Sequence, residues 1–186
     1  MAGALPRRSL AGQPRREVGM SRAQRQASIG RTNEKLYHAQ LHLEAWVQSQ
    51  GDEERFNPRA WALSYSESVL FHLELAWESF LAEIAEFYKV PRPQDLTDLG
   101  RQLQAAGIVS PEWAQLQAAA EDVTSFLAHL LTAYAHLRVP SPEAATATAV
   151  GRVAVAEPGP DRERLHAWWQ GLRALIDAQR RQMQEW

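Results

Sequence analysis

The chain has 186 residues, of which 45% are hydrophobic and 23% charged, with no cysteine and a formal net charge of −2. That length suits one globular domain with its own core, and the apolar runs, only a few residues long, exclude a membrane span. The lack of cysteine excludes disulfides, thiolate metal sites and cysteine nucleophiles, and it fits a reducing, cytoplasmic setting.

Charge is distributed unevenly along the chain. Residues 1–31 contain seven Arg against one acidic residue, Glu17, a balance of +6. The other 155 residues contain 13 Lys and Arg against 21 Asp and Glu, a balance of −8. We expect residues 1–31 to form a disordered basic arm, with Met20 as an alternative start of the protein. Because the acidic remainder repels nucleic acid and anionic lipid, only this arm is a candidate nucleic-acid contact, and no membrane contact is expected.

Two long helices are predicted in the first half of the chain. Residues 32–49 carry apolar side chains at helical spacing, and an earlier start near Ser21 is also compatible with the pattern. Residues 59–90 follow the start signal Asn57-Pro58 and contain no Gly or Pro. Their two adjoining apolar stripes predict a central helix with neighbours on two sides. We expect acidic residues to cover its remaining face: Glu67, Glu74, Glu78 and Glu86.

The third and fourth predicted helices differ in length. Residues 95–106 form a short helix, weakened by Gly100 in its middle. Ser110-Pro111 opens the next helix, whose 3-4 apolar repeat passes through Val123 and predicts one continuous helix that stops before Pro140.

The amino-acid composition of the chain changes after residue 138. Residues 139–160 contain four Pro and no aromatic residue, Leu or Ile, which predicts a flexible linker. Residues 161–186 again show a helical apolar stripe, and we expect this helix to dock on a core formed by residues 32–138. Since no segment alternates with a period of two, the predicted fold class is all-α: a bundle of four long helices and one short helix.

One set of side chains on the first helix has the spacing of metal ligands. Glu34, His38 and His42 follow each other at intervals of four residues, so His38 and His42 project from one face and are able to share a divalent cation. The first and last of the three lie about 12 Å apart along the helix, so one ion cannot bind all three. A further ligand must come from another helix, which the spacing does not identify. Ordinary hydrogen bonding is the alternative interpretation.

A second pattern involves Arg31 and His38, which have six residues between them. This spacing resembles the Arg-x(4–6)-His motif of HEPN-type helical ribonucleases and nucleotide-binding domains, whose Arg and His act on a phosphodiester. Phosphate-binding glycine loops and a nucleophile elbow are absent from the sequence. We therefore assign no catalytic or cofactor-binding residue and expect no cofactor.

The seven tryptophans include candidates for a protein contact. Trp168 and Trp169 are adjacent, and neighbouring helical residues point about 100° apart, so both cannot face the same core. We expect the partner-contacting side chains to be among four residues: Trp61, Trp168, Trp169 and Trp186.

Three stretches resemble a small, uncharacterised bacterial helical family, a domain of unknown function. They are RTNEKLYHAQLHLEAW from Arg31, ESVLFHLEL from Glu67 and DRERLHAWWQGL from Asp161. The resemblance covers most of residues 31–186 and implies an all-helical fold. It implies no activity.

The leading hypothesis is a cytoplasmic, non-enzymatic protein that acts through protein contacts, with an unidentified partner or a second copy of itself. One alternative is a metal-dependent or HEPN-like enzyme that uses His38 with Arg31 or His42. The other is a nucleic-acid accessory protein that acts through the arginine-rich arm.

Overall fold

The fold is built from six helices in a computed structural model that describes residues 22–49, 57–138 and 160–185. The helices are α1 (Arg22–Ser49), α2 (Pro58–Tyr88), α3 (Leu96–Ala105), α4 (Pro111–Glu121), α5 (Phe126–Leu137) and α6 (Arg162–Gln184). No strand occurs among these residues, so the predicted all-α class is confirmed. Within them, no helix combines the length and the apolar content that a bilayer crossing needs.

Polar caps fix where several helices begin. The side chains of Asn57, Ser110 and Asp161 each accept a hydrogen bond from the backbone N–H three residues further on, at 3.1, 3.1 and 2.8 Å. Each cap satisfies one of the backbone donors that have no partner in the first turn of a helix. The predicted starts of α2, α4 and α6 therefore agree with the structure to within one residue.

The predicted fourth helix is in fact two helices, α4 and α5. The backbone turns at Asp122, whose Oδ1 accepts from Thr124 N at 2.9 Å and from Thr124 Oγ1 at 2.7 Å. Ser125 then caps α5 by accepting from Ala128 N at 3.0 Å. Short polar side chains offer the backbone these alternatives to helical hydrogen bonds, and here they override the apolar repeat. Val123, expected in the core, is 79% exposed.

Helix α1 begins earlier than the main prediction, at Arg22, so residues 22–31 continue the helix. The prediction that residues 22–31 belong to the disordered basic arm is wrong, because these residues are helical. Ser28 shows that this first segment packs on the bundle, since its Oγ donates to Glu86 Oε1 at 2.6 Å. The remainder of the arm, the linker up to residue 159 and Trp186 lie outside the described residues.

Helix α2 lies at the centre of the core, as its two apolar stripes predict. Ser28 meets Glu86 near one end of the α1–α2 pair and Trp46 stacks on Tyr65 near the other, so these helices run antiparallel. Helix α6 docks on this pair and on α5. It contributes four side chains to the core: Leu165, Trp168, Leu172 and Ile176.

Gly100 in α3 has a packing role. A Cβ atom built at this position would lie 2.5 Å from Trp113 Cε2, and the Trp113 indole N–H donates to Leu96 O at 3.0 Å. The glycine therefore lets the indole lie directly against α3, which compensates for its low helix propensity.

The acidic residues of α2 do not all face solvent as expected. Glu74 is only 9% exposed, and a further carboxylate, Glu83, is 3% exposed. The apolar face of α2 is so wide that its neighbours also cover these two positions.

Candidate functional site

Helix α1 has two flanks that carry clusters of chemically distinctive side chains. On one flank, His38 and His42 approach His72 of α2; we call these three residues the histidine cluster. On the other flank, α1 and α6 enclose a groove of about 380 Å³, the α1–α6 groove. Eight residues line it: Asn33, Leu36, Tyr37, Gln40, Trp169, Arg173, Asp177 and Arg180.

The histidine cluster joins two helices at their packed edge. The centroid of the His72 ring lies 5.2 Å from that of His38, at an interplanar angle of 71°, and 5.2 Å from that of His42, at 23°. Phe71 contacts the His72 ring edge-on at 5.6 Å. The predicted pair on α1 thus acquires a third imidazole from α2. No spacing rule connects His72 to His42 and His38, which lie 30 and 34 positions earlier.

His72 is held in its neutral form. Burial lowers its pKa from 6.5 to about 4, and the nearby His42 and His38 add to the effect. Its Nδ1 is buried and has no hydrogen-bond partner in the described structure. A neutral imidazole nitrogen without a hydrogen bond is a potential acceptor or metal ligand.

Glu34 lies beside the cluster, in a peripheral position. Its Oε1 is 3.9 Å from His38 Nδ1 and 2.7 Å from Lys35 Nζ. The hydrogen bond from Lys35 lowers the pKa of the Glu34 carboxyl, so that group is ionised at neutral pH. In the observed rotamers, no three His, Asp or Glu side chains within residues 22–49, 57–138 and 160–185 are arranged to hold a metal ion.

The two residues whose spacing resembles the HEPN motif, Arg31 and His38, both lie on α1. Arg31 is exposed, two turns before His38 on α1. No hydrogen bond or ion pair joins the two side chains in the described part of the chain. Their role on a phosphodiester stays a prediction.

The α1–α6 groove is built around Trp169. Its indole N–H donates to Leu36 O of α1 at 2.9 Å. His166 stacks on the ring at 5.8 Å, and the Arg173 guanidinium lies 5.6 Å from the ring centroid. Across the groove, Tyr37 is 57% exposed. These contacts hold the Trp169 ring in one orientation at the surface.

A buried ion pair forms the inner end of this groove. Arg180 donates from Nε to Glu83 Oε2 at 2.9 Å and from Nη2 to Glu83 Oε1 at 2.8 Å. Arg180 Nη1 donates to Asn33 Oδ1 at 2.9 Å. Thr32 Oγ1 also donates to the Glu83 carboxylate. The pair links α1, α2 and α6, so the groove walls have a fixed separation.

The candidate tryptophans are placed differently. Trp168 is 5% exposed in the core, which leaves it no surface for a partner. Trp169 is half-buried in the groove. Trp61 is 46% exposed and contacts Tyr65 with ring centroids 6.0 Å apart. Trp186 lies outside the described residues. Sequence reasoning missed Tyr37, although its position between the apolar positions Leu36 and Ala39 marked it as an aromatic outside the core stripe.

Comparison with known proteins places the chain in a family without an assigned role. The model of a family of unknown function, DUF6586, matches residues 26–186. No curated protein and no solved structure matches the chain. The resemblance to an all-helical family of unknown function is thereby confirmed.

Proposed function

Because the chain belongs to this family of unknown function, which brings no activity with it, we propose from the geometry that it is a non-enzymatic binding protein whose α1–α6 groove takes a protein partner. The proposal includes a cytoplasmic location, which the absence of cysteine supports.

The observation that carries the proposal is the composition of the groove. The residues that dominate binding energy at protein interfaces are enriched in Tyr, Trp and Arg, and Tyr37, Trp169 and Arg173 meet here. Trp169 is already held by three neighbours and Arg180 by Glu83, so little side-chain freedom is lost when a partner binds.

The charges in the groove indicate the chemistry of the partner. The charge of Arg180 is neutralised by Glu83, whereas Arg173 and Asp177, the other charged residues of the groove, are both exposed. Arg173 lies against the ring of Trp169, next to the aromatic side chains of the groove. A partner segment with a carboxylate next to an apolar side chain would pair with Arg173 and pack on Tyr37. We therefore propose a different protein with an acidic, apolar segment as the occupant, in preference to a second copy.

The test compares two double variants with the wild type. Tyr37→Ala with Arg173→Ala removes two exposed side chains of the groove, one from each helix. Leu41→Ala with Arg181→Ala removes exposed residues of the same two helices outside the groove. Each tagged protein is purified from its native host, bound proteins are quantified by mass spectrometry, and the affinity for the purified partner is measured.

We expect one stoichiometric partner with the wild type and the control variant, and an affinity at least about tenfold weaker with the groove variant. Equal partner binding by both variants would assign the contact to another surface. A partnerless monomer by light scattering would remove the proposal, and a dimer that only the groove variant loses would assign the groove to self-association. Deleting α6 is not a suitable test, because this helix supplies four core side chains.

A further inference from the structure

The second flank of α1 carries a feature that a protein-binding groove does not explain. Three of the six histidines of the chain meet there, from two helices, although His72 lies 30 residues beyond His42 in sequence. We propose that His38, His42 and His72 together bind one late first-row divalent cation, with Zn²⁺ as the reference ion.

The spacing of the rings is the first argument. Tetrahedral Zn²⁺ with Zn–N bonds of about 2.0 Å places the centroids of two coordinating imidazoles about 5 Å apart. The centroid of His72 lies 5.2 Å from that of His38 and 5.2 Å from that of His42. The backbones of α1 and α2 therefore already hold the His72 ring at coordinating distance from each of the other two rings.

Ring rotation is the change that binding requires. A coordinated metal lies in the plane of each imidazole that binds it, and the stacked rings of His42 and His72 have nearly parallel planes, so at least one of them must rotate to share an ion. Among the described residues, the observed side-chain positions form no ligand set. All three side chains are half-buried at an open edge of the bundle, so they are able to turn without moving a helix. The cation would replace stacking contacts by bonds from nitrogens, including the unpartnered Nδ1 of His72.

The surroundings suit a three-nitrogen site. Glu34 is too far along α1 to bind the ion together with His42, but its carboxylate lies 3.9 Å from His38 Nδ1 and would orient that ring. Lys35, whose charge acts on His72, is paired with Glu34 at 2.7 Å. Phe71 contacts the His72 ring edge-on, with centroids 5.6 Å apart. Imidazole ligands favour Zn²⁺, Ni²⁺ and Cu²⁺ over Mg²⁺ or Ca²⁺. Because all three histidines are half-buried, water from the solvent would supply the fourth ligand.

The test uses the full chain without an affinity tag, freed of metal by a chelator. Zn²⁺ is titrated by calorimetry, and Co²⁺ is added as a spectroscopic probe. We expect one Zn²⁺ per chain and the intense visible absorption of four-coordinate Co²⁺. His72→Gln and His38→Gln should each weaken Zn²⁺ binding at least tenfold. His129→Gln and His136→Gln, which change exposed histidines of α5, should leave it unchanged.

The His72→Gln variant distinguishes the three-histidine site from a simpler site formed by His38 and His42 alone. If His72→Gln binds Zn²⁺ like the wild type, the ion uses only the His38 and His42 pair and the three-ligand site is wrong. Absence of binding at one ion per chain would also overturn it. Should His72→Gln fail to fold, NMR of the wild type decides: Zn²⁺ must shift the imidazole signals of His38, His42 and His72 and leave those of His129 and His136 in place.

Discussion

Helix α2 buries two glutamates in opposite ways. Glu83 is 3% exposed and receives a two-point contact from Arg180, together with a hydrogen bond from Thr32. Glu74 is 9% exposed, and one of its oxygens, Oε2, is buried without a hydrogen-bond partner. The two residues are nine positions apart on the same helix. Whether each glutamate finds a partner depends on which helix packs over it.

The chemical consequence is visible at Glu74. Burial and, to a smaller extent, the charge of Glu78 raise the pKa of its carboxyl from 4.5 to about 7, and Arg138 only partly opposes them. Arg138 lies 5.7 Å from the centroid of the Tyr134 ring of α5 instead of pairing with Glu74. Glu83 therefore has a cation positioned against it, Arg180, whereas Glu74 has none, and burial without such a partner is the costly arrangement.

The largest effect is expected from breaking the paired site. Arg180→Met leaves Glu83 buried and without its cation, which should lower the free energy of unfolding by about 3–5 kcal/mol. The measurement is urea denaturation at pH 7, followed by circular dichroism. Glu83→Leu combined with Arg180→Met removes both charges and should recover most of the loss. A double variant as unstable as Arg180→Met would show that packing, and not the unpaired charge, accounts for the effect.

Glu74→Gln should act in the opposite direction, with an effect that depends on pH. The raised pKa means that the native state of the wild type is favoured below about pH 4.5 and loses up to about 3 kcal/mol as the pH rises through 7. The glutamine variant avoids that loss, so it should be the more stable protein at pH 8 and lose its advantage at pH 5. Thermal unfolding across this range measures the difference. Glu67→Gln, an exposed change on the same helix, is the control and should show no such trend.

The smallest effect on stability is expected at Thr32, which donates a hydrogen bond to the Glu83 carboxylate. Thr32→Val keeps the shape of the side chain and removes its hydrogen bond to Glu83. We expect a loss of about 1–2 kcal/mol in the free energy of unfolding, since bonds to charged groups exceed neutral ones. Thr132→Val, at an exposed position of α5, should change stability by less than about 0.5 kcal/mol. If the two variants behave alike, Arg180 alone stabilises the Glu83 carboxylate.

The part of the fold that sequence reasoning predicted is governed by neighbours within four residues. The caps at Asn57, Ser110 and Asp161 and the apolar stripes of α2 are of this kind. The prediction was wrong at Asp122–Ser125, where two local signals compete. The apolar repeat favours one helix, but the polar side chains make a turn and a new cap. Their relative strength depends on packing, which a pattern does not contain.

The candidate sites were predicted only in part, for a related reason. His38 and His42 share a helix, so their proximity follows from the helical repeat. His72 joins them because α1 and α2 pack antiparallel in one register. Similarly, the pattern indicates that Trp168 and Trp169 cannot both face one core, but not which of them is buried. The docking of α6 buries Trp168 and leaves Trp169 in the groove.

The sequence by itself determined the all-α class, the starts of three helices and the central position of α2, because these depend on local hydrogen bonds and on the amount of apolar surface. Only the tertiary structure decided the pairing of Glu83 with Arg180, 97 residues away, the isolation of Glu74 and the meeting of three histidines. Such contacts depend on helix register and crossing. Those are set by the packing of the whole core, and no short stretch of sequence encodes them.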